Sequence, residues 1–242
     1  QLRPLVETYN IHKWFGKVYA LKGVDFVLYP KEIVGLIGDN GAGKTTLVNI
    51  LSGTLKPSKG EIYIDGRRVQ LRNAKDAMDL GVELVSQDSA LVDVVSIMRN
   101  IFMGREIVKR FGLLDTKTMM RKCSKILSGD ISIDIRSPNE QVANLSGGQR
   151  QAVSIARALY FKATILILDE PTTALSVREI DRLLENIKNL KEEGTSIIFI
   201  THSLYTIYPI ADRFVILRKG EKLGDYRKEE ISLEDITKLV AK

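Results

Sequence analysis

Three groups of residues in this chain have the types and spacing to handle a phosphorylated ligand. The first is Gly38-Asp39-Asn40-Gly41-Ala42-Gly43-Lys44-Thr45-Thr46, which fits the template G-x-x-x-x-G-K-[ST]. Glycines let the backbone curl so that successive N–H groups face inward as an anion nest. A helix that starts there adds its partial positive end. Lys44 would reach the terminal phosphates, and the Thr45 hydroxyl would ligate Mg²⁺. The second group is Asp169-Glu170, two acids that end an apolar run. Asp169 can hold Mg²⁺ directly or through water, and Glu170 can orient or activate an attacking water. The third is His202, in Thr201-His202-Ser203 at the end of another apolar run. It reads as a contact for the γ-phosphate.

The flanking segments supply the scaffold these residues need. Ile33-Val34-Gly35-Leu36-Ile37 is a β-favouring run before the glycine loop, and Leu47, Ile50 and Leu51 recur at helical spacing after it. Ile165-Leu166-Ile167-Leu168 reads as a central strand of a parallel sheet, buried on both faces. Acids at its carboxyl end lie where α/β sheets place ligands. Thr195–Ile200 reads as another such strand, and Val177, Ile180, Leu183, Leu184, Ile187 and Leu190 as a helix between the two.

Upstream, Val6–Ile11 and Val24–Leu28 read as short strands, with Trp14-Phe15-Gly16 between them. That aromatic pair reads either as a turn anchoring the core or as a flat surface for an adenine ring. Glu61–Ile64 followed by Asp65-Gly66 is a hairpin signal. A short helix around 74–80 and a strand at Val82–Val85 lead to Gln87. Residues 88–160 change to helical patterning, with apolar faces near 95–103 and 116–128, and read as a mainly helical insertion in an α/β core. The end of the chain reads as a strand over 213–218, a turn at Lys219-Gly220, a short strand and a helix near 232–241.

Within that insertion, Leu145-Ser146-Gly147-Gly148-Gln149 precedes a helix whose apolar side is Ala152, Val153, Ile155, Ala156 and Leu159. Ser146 and Gln149 have the spacing of a capping box, which an ordinary helix start would explain. Two adjacent glycines are costly for a cap alone. They suit a place where another backbone or a phosphate must come close, a second anion-accepting helix start.

Composition narrows the class. The 242 residues are 44% hydrophobic, enough for one compact domain with a sizeable core. Net charge is +6, from 36 basic and 30 acidic residues, a balance that reads either as affinity for nucleic acid, an anionic membrane surface or an acidic partner or, because the charges are interspersed rather than blocked, as a mixed solvated surface. The one cysteine, Cys123, excludes an intrachain disulfide, and with two histidines it leaves no zinc cluster. That usage suits a reducing cytosol. No apolar run approaches a membrane span, and the start, at Gln1, lacks the pattern of a signal peptide.

Taken together and in order, these motifs resemble the ATP-binding cassette family, the nucleotide-binding subunits of ABC transporters, over nearly the whole chain. The resemblance implies a P-loop NTPase (RecA-like) α/β core with an N-terminal antiparallel β subdomain and an inserted helical subdomain. In one domain over 1–242, residues 1–87 and 160–242 would form the core and β subdomain, and 88–159 the helical part. Phe15 matches the aromatic position that stacks on adenine, a role Trp14 or Tyr19 could also fill. Gly38 through Thr45 match Walker A. Gln87 matches the glutamine that senses Mg²⁺ and couples to the membrane partner. Leu145–Gln149 match the signature, Asp169 and Glu170 match Walker B with its catalytic glutamate, and His202 matches the switch histidine. One departure is Thr173-Ala174-Leu175-Ser176, where the family usually has Ser-Ala-Leu-Asp, so a charge is missing at 176.

The resemblance further implies a head-to-tail dimer of cassettes, identical or sibling, in which Ser146, Gly147, Gly148 and Gln149 of one chain close over the ATP of the other. The cofactors would be ATP and Mg²⁺. Partners would be membrane-spanning permease subunits at the cytoplasmic face of the cell membrane and, indirectly, an extracellular solute-binding protein, with no nucleic acid expected. Ser96–Glu106, the Gly38–Lys44 loop and the Ala-Leu-Ser form at 174–176 look like importers of ribose, xylose, galactose or fructose type. Many of those relatives carry two cassettes, and this chain carries one, without the regulatory C-terminal domain of the maltose-importer kind. Glu170, His202 and Lys44 would carry hydrolysis. Rival readings are an importer of another solute such as amino acids, and a soluble ABC-type ATPase acting on ribosomes or DNA. A phosphate-loop GTPase or small-molecule kinase is a further rival, although no Asn-Lys-x-Asp string is present.

Overall fold

The computed structural model describes residues 3–86, 91–128, 135, 137–161, 163–173 and 175–241. In chain order, β1 (Val6–Phe15) and β2 (Val18–Leu28) form a hairpin, and β3 (Ile33–Ile37) leads through the glycine loop into α1 (Lys44–Leu51). Then come β4 (Lys59–Ile64), β5 (Arg67–Val69), α2 (Ala74–Asp79) and β6 (Val82–Val85). Helices α3 (Ile97–Phe102), α4 (Thr116–Ser128) and α5 (Gly147–Tyr160) follow. The last third holds β7 (Ile165–Asp169), α6 (Val177–Glu192), β8 (Ser196–Ile200), α7 (Leu204–Ile207), β9 (Arg213–Arg218), β10 (Glu221–Arg227) and α8 (Leu233–Ala241).

Two sheets result. An antiparallel sheet runs β2-β1-β4-β5, and a six-stranded sheet runs β10-β9-β3-β8-β7-β6. In the second sheet β9, β3, β8, β7 and β6 are parallel, and β10 pairs antiparallel at the edge. The continuous apolar runs follow from burial on both faces. Val34, Leu36, Ile165, Ile167, Ile198 and Ile200 pack toward the antiparallel sheet and α1. Their neighbours Ile33, Ile37, Leu166, Leu168, Ile197 and Phe199 pack toward α5, α6, α7 and α8. A third cluster, built on Ile101, Phe102, Met119, Cys123, Val142 and Val153, joins α3, α4 and α5. Because Val153 belongs to that cluster while Ile155 and Ala156 belong to the second, α5 links the helical layer to the sheet.

The two N-terminal strands are longer than the apolar runs suggest. Register shifts on β1 near Asn10, whose φ is 50°, interrupt the period-two pattern that would reveal its full length. Trp14 and Phe15 lie at the end of β1, and the turn is left to Gly16-Lys17. A tie between the sheets comes from Arg213, which is 7% exposed. It donates to Glu32 at 2.7 and 3.0 Å, to Asp225 at 2.6 Å and to the Val27 carbonyl at 2.6 Å. Those carboxylates outweigh the cost of burial and hold its guanidinium well above the ordinary arginine range.

Candidate functional site

The carboxyl edge of the parallel strands β3 and β7 gathers the candidate residues. A cavity of about 550 Å³ is lined by Asn40 through Thr46, by Asp169 and Glu170, and on its other side by Phe15, Val18 and Tyr19. Gly38 is obligatory by space: a Cβ there would sit 2.2 Å from the Leu217 carbonyl oxygen. Gly43 caps α1 at φ 103°, and a Cβ would meet Leu21 Cδ2 at 2.7 Å and the Ala20 carbonyl oxygen at 2.8 Å. The loop is buttressed from behind by the β9–β10 turn. The Gly220 N–H donates to the Ala42 carbonyl at 3.1 Å, and the Lys22 N–H donates to the Gly220 carbonyl at 2.8 Å.

Lys44 is 6% exposed, and its Nζ donates to the carbonyls of Gly38 at 2.6 Å and Asp39 at 3.0 Å. Burial lowers its pKa, while Glu170, Asp169 and Asp39 oppose the shift. Asp169 is 7% exposed. Burial, then the charge of Glu170, raises its carboxyl above the usual range, and Lys44 and the Thr45 hydroxyl pull it back. Ammonium, hydroxyl and carboxylate therefore converge on one small volume. The Thr45 hydroxyl and Asp169 carboxylate are hard oxygen donors of the kind Mg²⁺ takes together with substrate phosphates. Among the described residues no cluster of three or more His, Cys, Asp or Glu side chains could hold a metal unaided. A cation here would need oxygen ligands from a bound phosphate chain, and the site has room for one.

Glu170 follows β7 with a left-handed backbone, φ 50°, anchored by its N–H donating to the Ile200 carbonyl at 3.0 Å. Its Oε2 lies 2.9 Å from His202 Nδ1, and the His202 side chain is 67% exposed. The histidine thus reaches the site through Glu170.

Phe15 and Tyr19 both line the cavity. Trp14 packs edge-on to Tyr19 with centroids 5.5 Å apart and lies under Lys59. Phe15 and Tyr19 are exposed to a similar degree; Tyr19 packs against His12 and Trp14, whereas the Phe15 ring has Lys13 Nζ 5.1 Å from its centroid. Gln87 lies outside the described residues. Val18, Lys22 and Lys219 also line the cavity, and the sequence did not single them out. The Lys219-Gly220 turn was visible, but nothing tied it to the loop.

Ser146–Gln149 does not line this cavity. The predicted capping box is formed: the Gln149 N–H donates to Ser146 Oγ at 3.2 Å, and the Ser146 N–H donates to Gln149 Oε1 at 2.9 Å. Gly148 faces the Glu179 carboxylate. A Cβ there would lie 2.2 Å from Glu179 Oε1. A second cavity of about 600 Å³ opens between the sheet and the helical layer, with Leu55, Met78, Glu83, Leu84, Leu91 and Arg157 on its walls. At its wall Glu83 pairs with Arg105 at 2.7 Å. Asn100, fully buried, exchanges hydrogen bonds with Val92, and its amide reaches the carbonyls of Val95 and Ser96, fixing the chain that enters α3. Among the described residues no helix is long and apolar enough to cross a membrane.

Comparison with known proteins gives a consistent set. The family model described as ABC transporter matches residues 21–173. The xylose/arabinose import ATP-binding protein of Sulfolobus acidocaldarius is 44% identical over 241 residues, 99% of this chain and 94% of that protein. The ribose import ATP-binding protein of Agrobacterium fabrum is 44% identical over 221 residues, 91% of this chain and 43% of that protein. The chain thus spans about half the length of its ribose-import relatives. A nucleotide-free ATP-binding cassette from an ABC transporter superposes with a TM-score of 0.84 at 22% identity, over 99% of this chain and 96% of that one, a likeness of fold. A dimeric post-hydrolysis ATP-binding cassette bound to ADP and Pi superposes with a TM-score of 0.80 at 27% identity, over 93% of this chain and all of that one.

Proposed function

The chain belongs to the ABC transporter family, and on that footing we propose that it is an ATP-binding subunit whose ATP hydrolysis drives uptake of a monosaccharide. The observation that carries this reading is the convergence of Lys44, Thr45, Asp169 and Glu170 on one cavity beside Phe15. The sugar follows the relatives, which are named as importers of xylose and arabinose or of ribose.

In this reading the Gly38–Thr46 loop binds the phosphate chain, and Phe15 stacks on the base. Thr45 and Asp169 would hold Mg²⁺, with Gln87 as a further ligand from sequence. When bound, Mg²⁺ supplies charge neutralisation and orientation of the terminal phosphates. Glu170 orients the attacking water, and His202 holds the Glu170 carboxylate in place through its 2.9 Å contact. Lys44 exchanges its loop carbonyls for phosphate oxygens, where its charge stabilises the transferring group.

The Ser146–Gln149 turn lines no part of the cavity within its own chain, which supports its use by a second cassette. Dimeric assembly of a related cassette supports the same arrangement. The groove over Leu55, Leu84, Leu91 and Glu83 is the proposed seat of the permease, which would keep the subunit at the cytoplasmic face of the membrane. Residues 1–87 with 160–242 would act as the nucleotide-binding body and 88–159 as the moving helical part. An extracellular binding protein would deliver the sugar. The test is uptake by proteoliposomes holding the cassette with its permease: ATP-dependent accumulation of labelled xylose, arabinose or ribose is expected. Hydrolysis unaffected by the permease and unaccompanied by uptake would sink the transport reading.

A further inference from the structure

We infer that Glu179 is a positioning residue that clamps the Ser146–Gln149 turn to the segment following Glu170, by holding one carboxylate between Ser176 and Gly148. The inference rests on the ATPase reading and deepens it. Glu179 Oε2 accepts from the Ser176 N–H at 2.8 Å and from Ser176 Oγ at 2.7 Å. Its other oxygen, Oε1, fills the space a side chain at Gly148 would need, 2.2 Å from the Cβ position. A side chain at position 148 would therefore displace the Glu179 carboxylate from this place.

The carboxylate sits in the first turn of two helices at once. Glu179 is the third residue of α6, capped by Ser176, and Gly148 is the second residue of α5. Each helix start carries partial positive charge from unpaired N–H groups, and one anion near both stabilises both. The hydrogen bonds from Ser176, backbone first and hydroxyl second, hold the Glu179 carboxyl below the usual range, so it stays ionised at neutral pH. Position 176 is where the family usually places a carboxylate of its own. Here the hydroxyl of Ser176 borrows one from a residue three positions on.

The clamp continues back to the proposed catalytic acid. Thr173 Oγ1 donates to the Glu170 carbonyl at 3.2 Å, and the Leu175 N–H donates to the Thr172 carbonyl at 3.2 Å. Short-range bonds thus brace the chain between Glu170 and Thr173 and between Thr172 and Leu175, Ser176 follows Leu175 directly in the chain, and the Glu179 carboxylate lies between Ser176 and Gly148. If Ser146–Gln149 serves the nucleotide of a second cassette, this stretch links the acid of one site to the lid of the other. Glu179 touches no substrate, so its effect falls on the turnover rate and not on the affinity for ATP.

The test is Glu179→Gln, because glutamine keeps the capping box of α6 and removes only the charge. Steady-state Mg-ATP hydrolysis by the purified chain is measured with thermal unfolding. The expected result is a melting temperature lowered by about 1–4 °C, as loss of one anion at two helix starts implies, with the chain still folded at the assay temperature, an unchanged KM for ATP and a kcat lowered about tenfold. Adding Ser176→Asp to that variant returns a carboxylate to the cap of α6, next to where the Glu179 carboxylate lay 2.7 Å from Ser176 Oγ, and is expected to recover most of the kcat. Wild-type kcat in Glu179→Gln, or a loss that Ser176→Asp does not recover, overturns the inference while leaving the ATPase reading intact. Absence of hydrolysis by the unaltered chain overturns that reading and the inference with it.

Discussion

Glu170 and His202, at the ends of the adjacent parallel strands β7 and β8, meet with 2.9 Å between Oε2 and Nδ1. The acid is largely buried and its backbone is left-handed, whereas the imidazole stands mostly in solvent. A bulky residue in that conformation costs of order 1–3 kcal/mol and persists where its surroundings fix it. The contact holds the carboxylate in one direction, the condition for presenting a single water to a phosphate.

Glu170→Gln is accordingly expected to bind ATP normally and to lose about 10²–10⁴-fold in turnover, the usual range for a positioned general base. His202→Ala is expected to lower turnover with no change in melting temperature, because its ring is exposed. Nucleotide affinity by fluorescence and phosphate release by single-turnover assay separate the two steps. Near-normal hydrolysis by Glu170→Gln would remove the assigned role.

The choice among the three aromatics is also measurable. Phe15→Ala is expected to raise the KM for ATP about threefold to tenfold, as loss of one stacked aromatic pair does, with kcat retained. Trp14→Ala should leave KM unchanged, because Trp14 packs on Tyr19 and His12 and does not line the cavity. Equal effects from both would reassign the base platform.

Asp169 gives a prediction in pH. Its carboxyl is raised above 3.8, by burial first and by Glu170 second. A folded value above the unfolded one means the folded chain binds more protons across that window. The stabilising contribution is then fully present below the unfolded value and is lost as pH rises through the raised one. Asp169→Asn escapes that loss. It should melt a few degrees higher than the unaltered chain at pH 7, with the gap closing as pH falls toward 3.8, and should not hydrolyse ATP. A gap that persists unchanged in acid would remove the ionisation argument.

The sequence made the strands of the parallel sheet and the polar residues that end them at the candidate site legible, for a physical reason. Ile33–Ile37, Ile165–Leu168 and Ile197–Ile200 are apolar on both faces, and the polar residues that end such runs stand out. Residues that join the site through long-range packing left no such signal. Lys219 and Lys22 reach the cavity because Gly220 bonds to Ala42 and to Lys22 across the fold. Glu179 reads in sequence as a solvated helix residue, and only the approach of α5 reveals what its second oxygen does. The four-residue α7 is shorter than any periodicity can show, and the end of β1, from His12 to Phe15, is hidden by the irregularity near Asn10.

The two-faced burial of β7 has a cost in specification. In Ile165-Leu166-Ile167-Leu168 every residue is interchangeable with its neighbour for packing, so sliding the strand by one position would lose little buried surface. It would nonetheless carry Asp169 and Glu170 about 3.3 Å along the sheet and swap the faces they serve. Hydrophobicity cannot forbid that error here. The polar residues at its ends do: a slip one way would draw Glu170 into the buried part of the sheet, and a slip the other way would draw in Thr164, each losing the surroundings it has at the strand end. The acidic pair is therefore punctuation as well as chemistry, and the chain is spelled correctly by the same residues that would use the ATP.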